Sequence, residues 1–403
     1  MSKLLGACVL LAAALPAAAD GLDALVSEGK AGLELRYRFE GVEQEGVAQD
    51  AAANTVRLRL NLASGRVAGF SGFVEFDHLE ALGTEKYNST RNGQAQYPVV
   101  ADPEGTDLNQ LYLRYDGFAG TVVKFGRQRL VLDNQRFIGN VGWRQNEQTY
   151  DAVSIQNKSL RDTTLTYAYL DNVRRVFGPD DGSPPAEFDS RSHVLHAAYT
   201  GWRLGTLSLY NYHLDLRDAP ALATNTLGLR LDGGLSAAGG RLGWKAEYAH
   251  QTDVGRNPQD LSTDYWLLEA SFQREALGIA LGYEVLGGTA GVPAGAPNPA
   301  FQTPLATLHA FQGWADKFLT TPAAGIEDFY VSLRGGYGKL KGELTWHDFS
   351  AEATTARYGS ELNLSLSYPL GERYVLLAKF ADYSADALFT DTRKYWLQFA
   401  ATF

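Results

Sequence analysis

The stretch Tyr395–Phe403, YWLQFAATF, alternates without a break up to its last residue. Successive side chains of a strand point to opposite sides. Tyr395, Leu397, Phe399, Ala401 and Phe403 therefore share one face, and Trp396, Gln398, Ala400 and Thr402 the other. A soluble domain ordinarily ends in a frayed polar tail. An aromatic end in mid-alternation fits the closing strand of a β-barrel of the outer-membrane type. Such a strand must pair with the first one, and it is the part the barrel-assembly machinery recognises.

The other end of the chain agrees. Lys3 is followed by an apolar run, Leu4–Leu15, and by Ala17-Ala18-Ala19 ahead of Asp20. This is the order of a secretory signal with an A-x-A cleavage site, and the run is too short to cross a bilayer. The expected organisation is a cleaved signal peptide over residues 1–19 and a single outer-membrane β-barrel domain over 20–403. Leu5-Gly6-Ala7-Cys8 faintly resembles a lipoprotein acylation box, but it precedes most of the apolar run. Cys8 is the chain's one cysteine, so cleavage removes disulfides, thiolate chemistry and cysteine metal sites together. Beyond the leader, no run approaches the roughly 18–20 apolar residues of a spanning helix. There are 21 Tyr, 19 Phe, 7 Trp and 42 Gly against a single Met. Mean hydropathy is −0.22, the average of strands with one lipid-facing and one water-facing side. A formal net charge of −10 argues against a nucleic-acid partner.

Alternating segments recur along the whole chain. Leu33, Leu35, Tyr37 and Phe39 oppose Glu34, Arg36 and Arg38; Val56, Leu58, Leu60 and Leu62 oppose Arg57, Arg59 and Asn61. The same holds around Tyr112–Asp116, Lys124, Leu242–Tyr248, Ile279–Val285, Phe329–Arg334 and Glu361–Tyr368. Leu207–Leu216 changes phase near Tyr210, which points to a bulge or a misread phase there. Short links (SGRVAG, FAGT, KSLRD, GYGK, PLGE) alternate with long ones around 80–107, 131–149, 176–190 and 287–325. That is how barrels place periplasmic turns and outer loops. The count comes to about eighteen antiparallel strands, with 16 as the fallback.

A barrel of that size is too wide to be filled by its own wall, so inward charges acquire a role. The alternation turns Arg36, Arg38, Arg57, Arg59, Arg114, Lys124 and Arg334 inward, together with Arg230, Lys245, Lys341 and Lys379. It does the same for Glu34, Asp116, Glu284 and Glu361, and for Glu75, Asp77, Glu247, Glu269 and Glu343. Two readings stand side by side. Basic walls facing acids select anions, or the pairs satisfy one another and hold the wall in shape. Trp244, Trp266, Tyr374 and Tyr395 read as girdle residues at the membrane borders.

Gly126–Val153, GRQRLVLDNQRFIGNVGWRQNEQTYDAV, resembles the signature stretch of the alginate export family of outer-membrane proteins. Asn298–Phe318, NPAFQTPLATLHAFQGWADKF, and Leu377–Asp386, LAKFADYSAD, are similar to later parts of the same family. The resemblance implies an 18-stranded monomeric barrel. In the family's best-known member an electropositive constriction passes an anionic polysaccharide outward. On this resemblance Arg127, Arg129, Asp133, Arg136, Arg144 and Asp151 join the pore-lining set, on a loop suited to fold into the lumen with guanidinium forks that grip carboxylates. One departure is visible: PLGE leaves no room for a long periplasmic plug before the seventeenth strand.

Other signals are set aside. His193 and His196 are three apart on a strand and point to opposite faces, so they do not chelate one metal. Asp102–Asp107 and Asp180–Asp181 offer oxygen ligands without a full Ca²⁺ loop and read as solvated outer loops. No catalytic motif and no cofactor or metal site is expected. The reading is a channel for passive passage of a polar, anionic solute, with alginate-like uronate polysaccharide as one candidate. A general or small-organic-anion uptake porin is the alternative, and a barrel-anchored adhesin or outer-membrane enzyme lies further off. Expected partners are outer-membrane lipid and lipopolysaccharide, the solute, and the assembly machinery.

Overall fold

Alternation becomes a two-faced wall. The computed structural model describes residues 19–403, so the leader expected over 1–19 lies, save Ala19, outside the described residues. A short helix, α1 (Ala19–Ser27), precedes eighteen strands. They are β1 (Lys30–Gln44), β2 (Ala51–Ala63), β3 (Phe70–Ala81), β4 (Gly105–Tyr115), β5 (Thr121–Gln128) and β6 (Thr149–Asn157). Then come β7 (Thr163–Arg174), β8 (Glu187–Trp202), β9 (Gly205–Leu214), β10 (Thr224–Ala237), β11 (Gly240–Asp253) and β12 (Ser262–Arg274). The last six are β13 (Leu277–Leu286), β14 (Ile326–Tyr337), β15 (Leu340–Ser350), β16 (Arg357–Pro369), β17 (Tyr374–Ala385) and β18 (Thr392–Thr402).

Each strand pairs antiparallel with its neighbours in sequence, and β18 pairs with β1 from Glu34↔Thr402 to Gln44↔Thr392. At the foot of this seam Phe403 N–H donates to Leu33 O at 2.8 Å, and Leu33 N–H donates to Phe403 O at 3.1 Å. The sheet has no free edge, so every strand finds its backbone partners within the wall. Leu397 and Phe403 are exposed on the outer face while Trp396 is buried inside, as the alternation of the last stretch predicts.

The outer face carries exposed leucines at Leu58, Leu60, Leu229, Leu281, Leu333 and Leu364. His193 stands on this side, with Nδ1 3.0 Å from Tyr167 Oη, whereas His196 is buried in the lumen against Asp133 at 2.8 Å. Short turns and both described ends of the chain occupy one rim; long loops occupy the other.

Two of those loops turn inward. Phe137 of the 129–148 loop packs against Tyr210, Tyr265 and Phe301 with ring centroids 5.2, 5.3 and 6.0 Å away. Phe318 of the 287–325 loop packs on Phe349 at 4.6 Å and on Tyr383 at 5.9 Å. This inner apolar core corrects one expectation. Strand β9 has no bulge at Tyr210: its register against β8 and β10 is unbroken there. Tyr210, Tyr212 and Leu214 look out of phase only because the wall behind the loops is apolar on its inner side. Where tyrosine rings lie along the wall, glycine makes room: a Cβ at Gly282 would overlap the Tyr330 ring.

Leu281→Arg, at the middle of β13 on the outer face, is expected to destabilise the barrel by about 2–4 kcal/mol. Ser271→Arg, on the inner face of β12, should stay within about 1 kcal/mol. Urea unfolding in lipid vesicles, followed by tryptophan emission, measures both.

Candidate functional site in the lumen

Two-residue spacing puts Arg36 and Arg38 of β1, and Arg57 and Arg59 of β2, on the inner face, with Arg36 directly opposite Arg57. Like charges facing each other require acceptors, and the 129–148 loop supplies them as main-chain carbonyls. Arg36 Nη1 donates to Gly142 O at 3.2 Å and to Arg144 O at 3.3 Å. Arg38 Nη2 donates to Trp143 O at 2.5 Å, and Arg57 Nη1 to Gln145 O at 3.0 Å. Arg57 also pairs with Glu34. The ladder anchors the loop instead of standing free in the lumen.

Carboxylates complete the anchorage. Arg59 forks onto Asp77, with both bonds at 2.6 Å, and reaches Glu147 at 3.1 Å. Arg129 pairs with Glu75 and Glu147. A bulge opposite Glu75 turns both Asn109 and Gln110 toward it, and their amides donate at 2.7 and 3.1 Å. Burial raises the Glu147 carboxyl, but Arg59, Arg129 and Asn109 outweigh it and hold the group at about 2. Arg136, fully buried, donates to Glu284 at 2.7 Å and to Thr303 at 2.9 Å. Arg144 reaches Glu40 at 3.1 Å and Asp316 at 2.9 Å. Asp133 accepts from Ser208 at 2.9 Å and lies 2.8 Å from His196 Nε2. Serine and histidine share the acid and do not touch each other, so this trio is not a nucleophile–base pair.

The two loops are tied to each other as well. Gly139 N–H donates to Leu305 O at 2.9 Å and Thr307 N–H to Gln135 O at 3.0 Å. Glu361 of β16 receives the amides of Trp314 at 2.5 Å and Ala315 at 2.8 Å. Gln135, Val141, Gln312 and Asp316 hold φ of +66°, +51°, +47° and +60°. Such values persist only where surrounding contacts over-determine them. The loops form one braced body.

The expected site residues sort as follows. Glu34, Arg36, Arg38, Arg57, Arg59, Arg129, Arg136, Arg144, Asp133, Glu284 and Glu361 lie inside the barrel as members of this brace. Arg114, Asp116, Lys124 and Arg334 face the lumen nearer the short-turn end. Arg127 and Asp151 depart from expectation. They pair directly across β5 and β6, on the face of Phe125, Val153 and Ile155, which is the outer one. Their two bonds at 2.8 and 3.2 Å are a surface tie near the long-loop rim. Parity decides this: Gln128, one residue on, is the inward neighbour and is wholly buried. Asp102 is another correction. It was read as part of a solvated loop, but it is fully buried and accepts Gln145 N–H at 2.8 Å.

Below the brace some charge stays accessible. Arg334 is 58% exposed, with Glu343 2.9 Å away. Lys245 pairs with Glu269 at 2.7 Å. Lys124 lies 4.6 Å over the Tyr112 ring and has no carboxylate within 4 Å among the described residues. Glu40, Trp143, Glu147, His309, Trp314, Asp316 and Lys394 were not singled out from the sequence. Five of them lie in the two long motif stretches.

Residues 28–290 match a family described as alginate export. No curated protein matches the chain. Among solved structures the fold is similar to Pseudomonas aeruginosa OccK9 (OpdG), with TM-score 0.72 and 17% identity over 94% of this chain and 100% of that one. It is similar to Acinetobacter baumannii OccAB2, with TM-score 0.72 and 14% identity over 94% and 99%. The outer membrane protein opdK of Pseudomonas aeruginosa gives 0.70 and 14% over 94% and 99%.

Arg144→Met leaves Glu40 and Asp316 buried without their guanidinium, a loss of about 3–5 kcal/mol. The barrel is expected to persist while the braced loops loosen, so single-channel conductance in planar bilayers should rise and become noisier. The Glu147 knot also predicts a pH response. Its carboxyl is lower in the folded protein, so its stabilisation is complete above pH ~4.5 and fades as pH falls toward 2. Amide hydrogen exchange in 129–148 should be unchanged from pH 7 to 5, after correction for intrinsic rates, and accelerate below 4.

Proposed function

The chain belongs to the alginate export family and is a channel of the bacterial outer membrane, and from that premise we propose that it passes a polar, anionic solute. The observation that carries the reading is the lumen between the brace and the short-turn rim. Arg114 and Lys124 face that lumen directly across the neighbouring strands β4 and β5, and Lys124 has no carboxylate within 4 Å among the described residues. Fixed positive charge on one wall raises the local concentration of anions and lowers their entry barrier. Carboxylate-bearing sugars suit it, from a single extended uronate chain down to a monomer.

A second reading has its own support. The braced 129–148 and 287–325 loops occupy the long-loop half of the barrel, which favours a small organic acid over a polymer. In either case the closed sheet needs no partner strand, consistent with work as a monomer, with selectivity set by width and fixed charge.

In planar bilayers under a KCl gradient the reversal potential is expected to shift toward the chloride equilibrium. Added oligouronate should block the current, and uronate monomer should block it more weakly if the polymer reading holds. Arg114→Glu combined with Lys124→Glu should lower the anion-to-cation permeability ratio severalfold. A cation-shifted potential in the native channel overturns the proposal.

A further inference from the structure

Lys379 of β17 projects into the lumen directly across from Trp396 of β18. Its ammonium lies 3.7 Å from the Trp314 ring centroid, 4.0 Å from that of Trp143 and 5.3 Å from that of Trp396. One of its hydrogens goes to His309 Nε2 at 2.7 Å. The other ring nitrogen of His309, Nδ1, faces Asp316 Oδ1 at 2.7 Å. A carboxylate only accepts, so Nδ1 carries the hydrogen and Nε2 is left as the acceptor. Burial and the charge of Lys379 push this imidazole down to about 3, which keeps it neutral.

The neighbourhood holds more cations than anions. Arg144 takes Glu40 and Asp316, Lys394 takes Asp316 at 2.8 Å, and Arg38 lies 3.8 Å from Asp102. Four cations thus face three carboxylates, and Lys379 is the one with no carboxylate within 4 Å among the described residues. Hydrogen-bond donors are in excess too. The indole N–H groups of Trp143 and Trp396 are buried without an acceptor, whereas Nη1 of Arg38 and Oδ2 of Asp102 are a donor and an acceptor left unpaired 3.8 Å apart. Indole faces hold a cation in place, but they do not account for donors that lack acceptors. Lys379, Trp143 and Trp314 are half-buried, so the cluster reaches lumen solvent at the edge of the brace.

We propose that Lys379, boxed by Trp143, Trp314 and Trp396, is a carboxylate-binding subsite for a sugar acid in transit. The carboxylate takes the two remaining ammonium hydrogens, and the sugar ring lies against exposed indole edge and face. The inference rests on the reading of the channel as an anion pathway and adds the residue at which the solute pauses. A passing solute needs a site that binds and releases it. A single lysine in an aromatic frame does this more readily than the arginine ladder, whose guanidinium groups are already engaged with the loop's carbonyls.

The test is tryptophan emission of the purified full chain in detergent, titrated with galacturonate, with galactose, and with chloride. Saturable quenching by galacturonate and none by galactose is expected. Lys379→Met should weaken galacturonate binding at least tenfold, Lys379→Arg should retain most of it, and Trp314→Phe should weaken it while leaving the barrel's heat-modifiable gel mobility unchanged. Unchanged affinity in Lys379→Met, equal binding of galactose, or equal displacement by millimolar chloride overturns the subsite. If the native channel keeps its anion preference in that case, the subsite alone has failed. If the native channel shows no anion preference, the subsite falls with the functional reading.

Discussion

Hydrocarbon offers no partner for a peptide group, and the rest of this molecule follows from that constraint. An open sheet would leave a row of N–H and C=O groups against lipid. The β1–β18 seam removes that row: Leu33 and Phe403 exchange hydrogen bonds at its foot, and the ladder runs from there to Gln44 and Thr392. Once eighteen strands are closed, the diameter is set, and with it a lumen too wide for wall side chains to fill. The interior then has to be furnished by something else.

Here it is furnished by loops, and loops bring their own unsatisfied backbone. A segment laid inside a barrel carries carbonyl groups away from bulk water. The guanidinium groups of Arg36, Arg38 and Arg57 meet that need at Gly142, Trp143, Arg144 and Gln145. The arginines in turn require acceptors, since they crowd one another across two strands. Each set resolves the other's deficit, and the carboxylates of Glu40, Glu75, Glu147, Glu284 and Glu361 take what remains. Pairing dominates around the brace, and accessible charge survives nearer the short-turn rim.

Strand order and closure were legible because one rule, alternation, repeats over the chain and each repetition is checked by the next. The closing strand, Thr392–Thr402, was legible for the same reason. The lumen was less so. Tyr210 and Tyr212 broke the pattern because the inner wall there faces protein instead of water, and a two-letter pattern of apolar and polar cannot separate lipid from a packed loop. Arg127 was grouped with Arg129 by motif, although the two are separated by an even step and share a phase with Phe125 up to the strand's end; only the start of the loop after Gln128 turns Arg129 inward. Asp102, Asp316 and Lys394 became meaningful only when a loop from elsewhere in the chain lay against them. Long-range contacts of that kind leave no local trace in composition.

The grip of Arg36, Arg38 and Arg57 falls on carbonyl oxygens, and every residue type owns one. The dock is therefore blind to the side chains it holds. Those hydrogen bonds outlast a change of side chain at 142, 143 or 145 wherever the backbone path survives, although Arg38 also stacks on Trp143 and Gln145 also donates to Thr55. A scaffold built this way separates where a filter sits from what the filter reads, and it can trade one solute preference for another without being rebuilt.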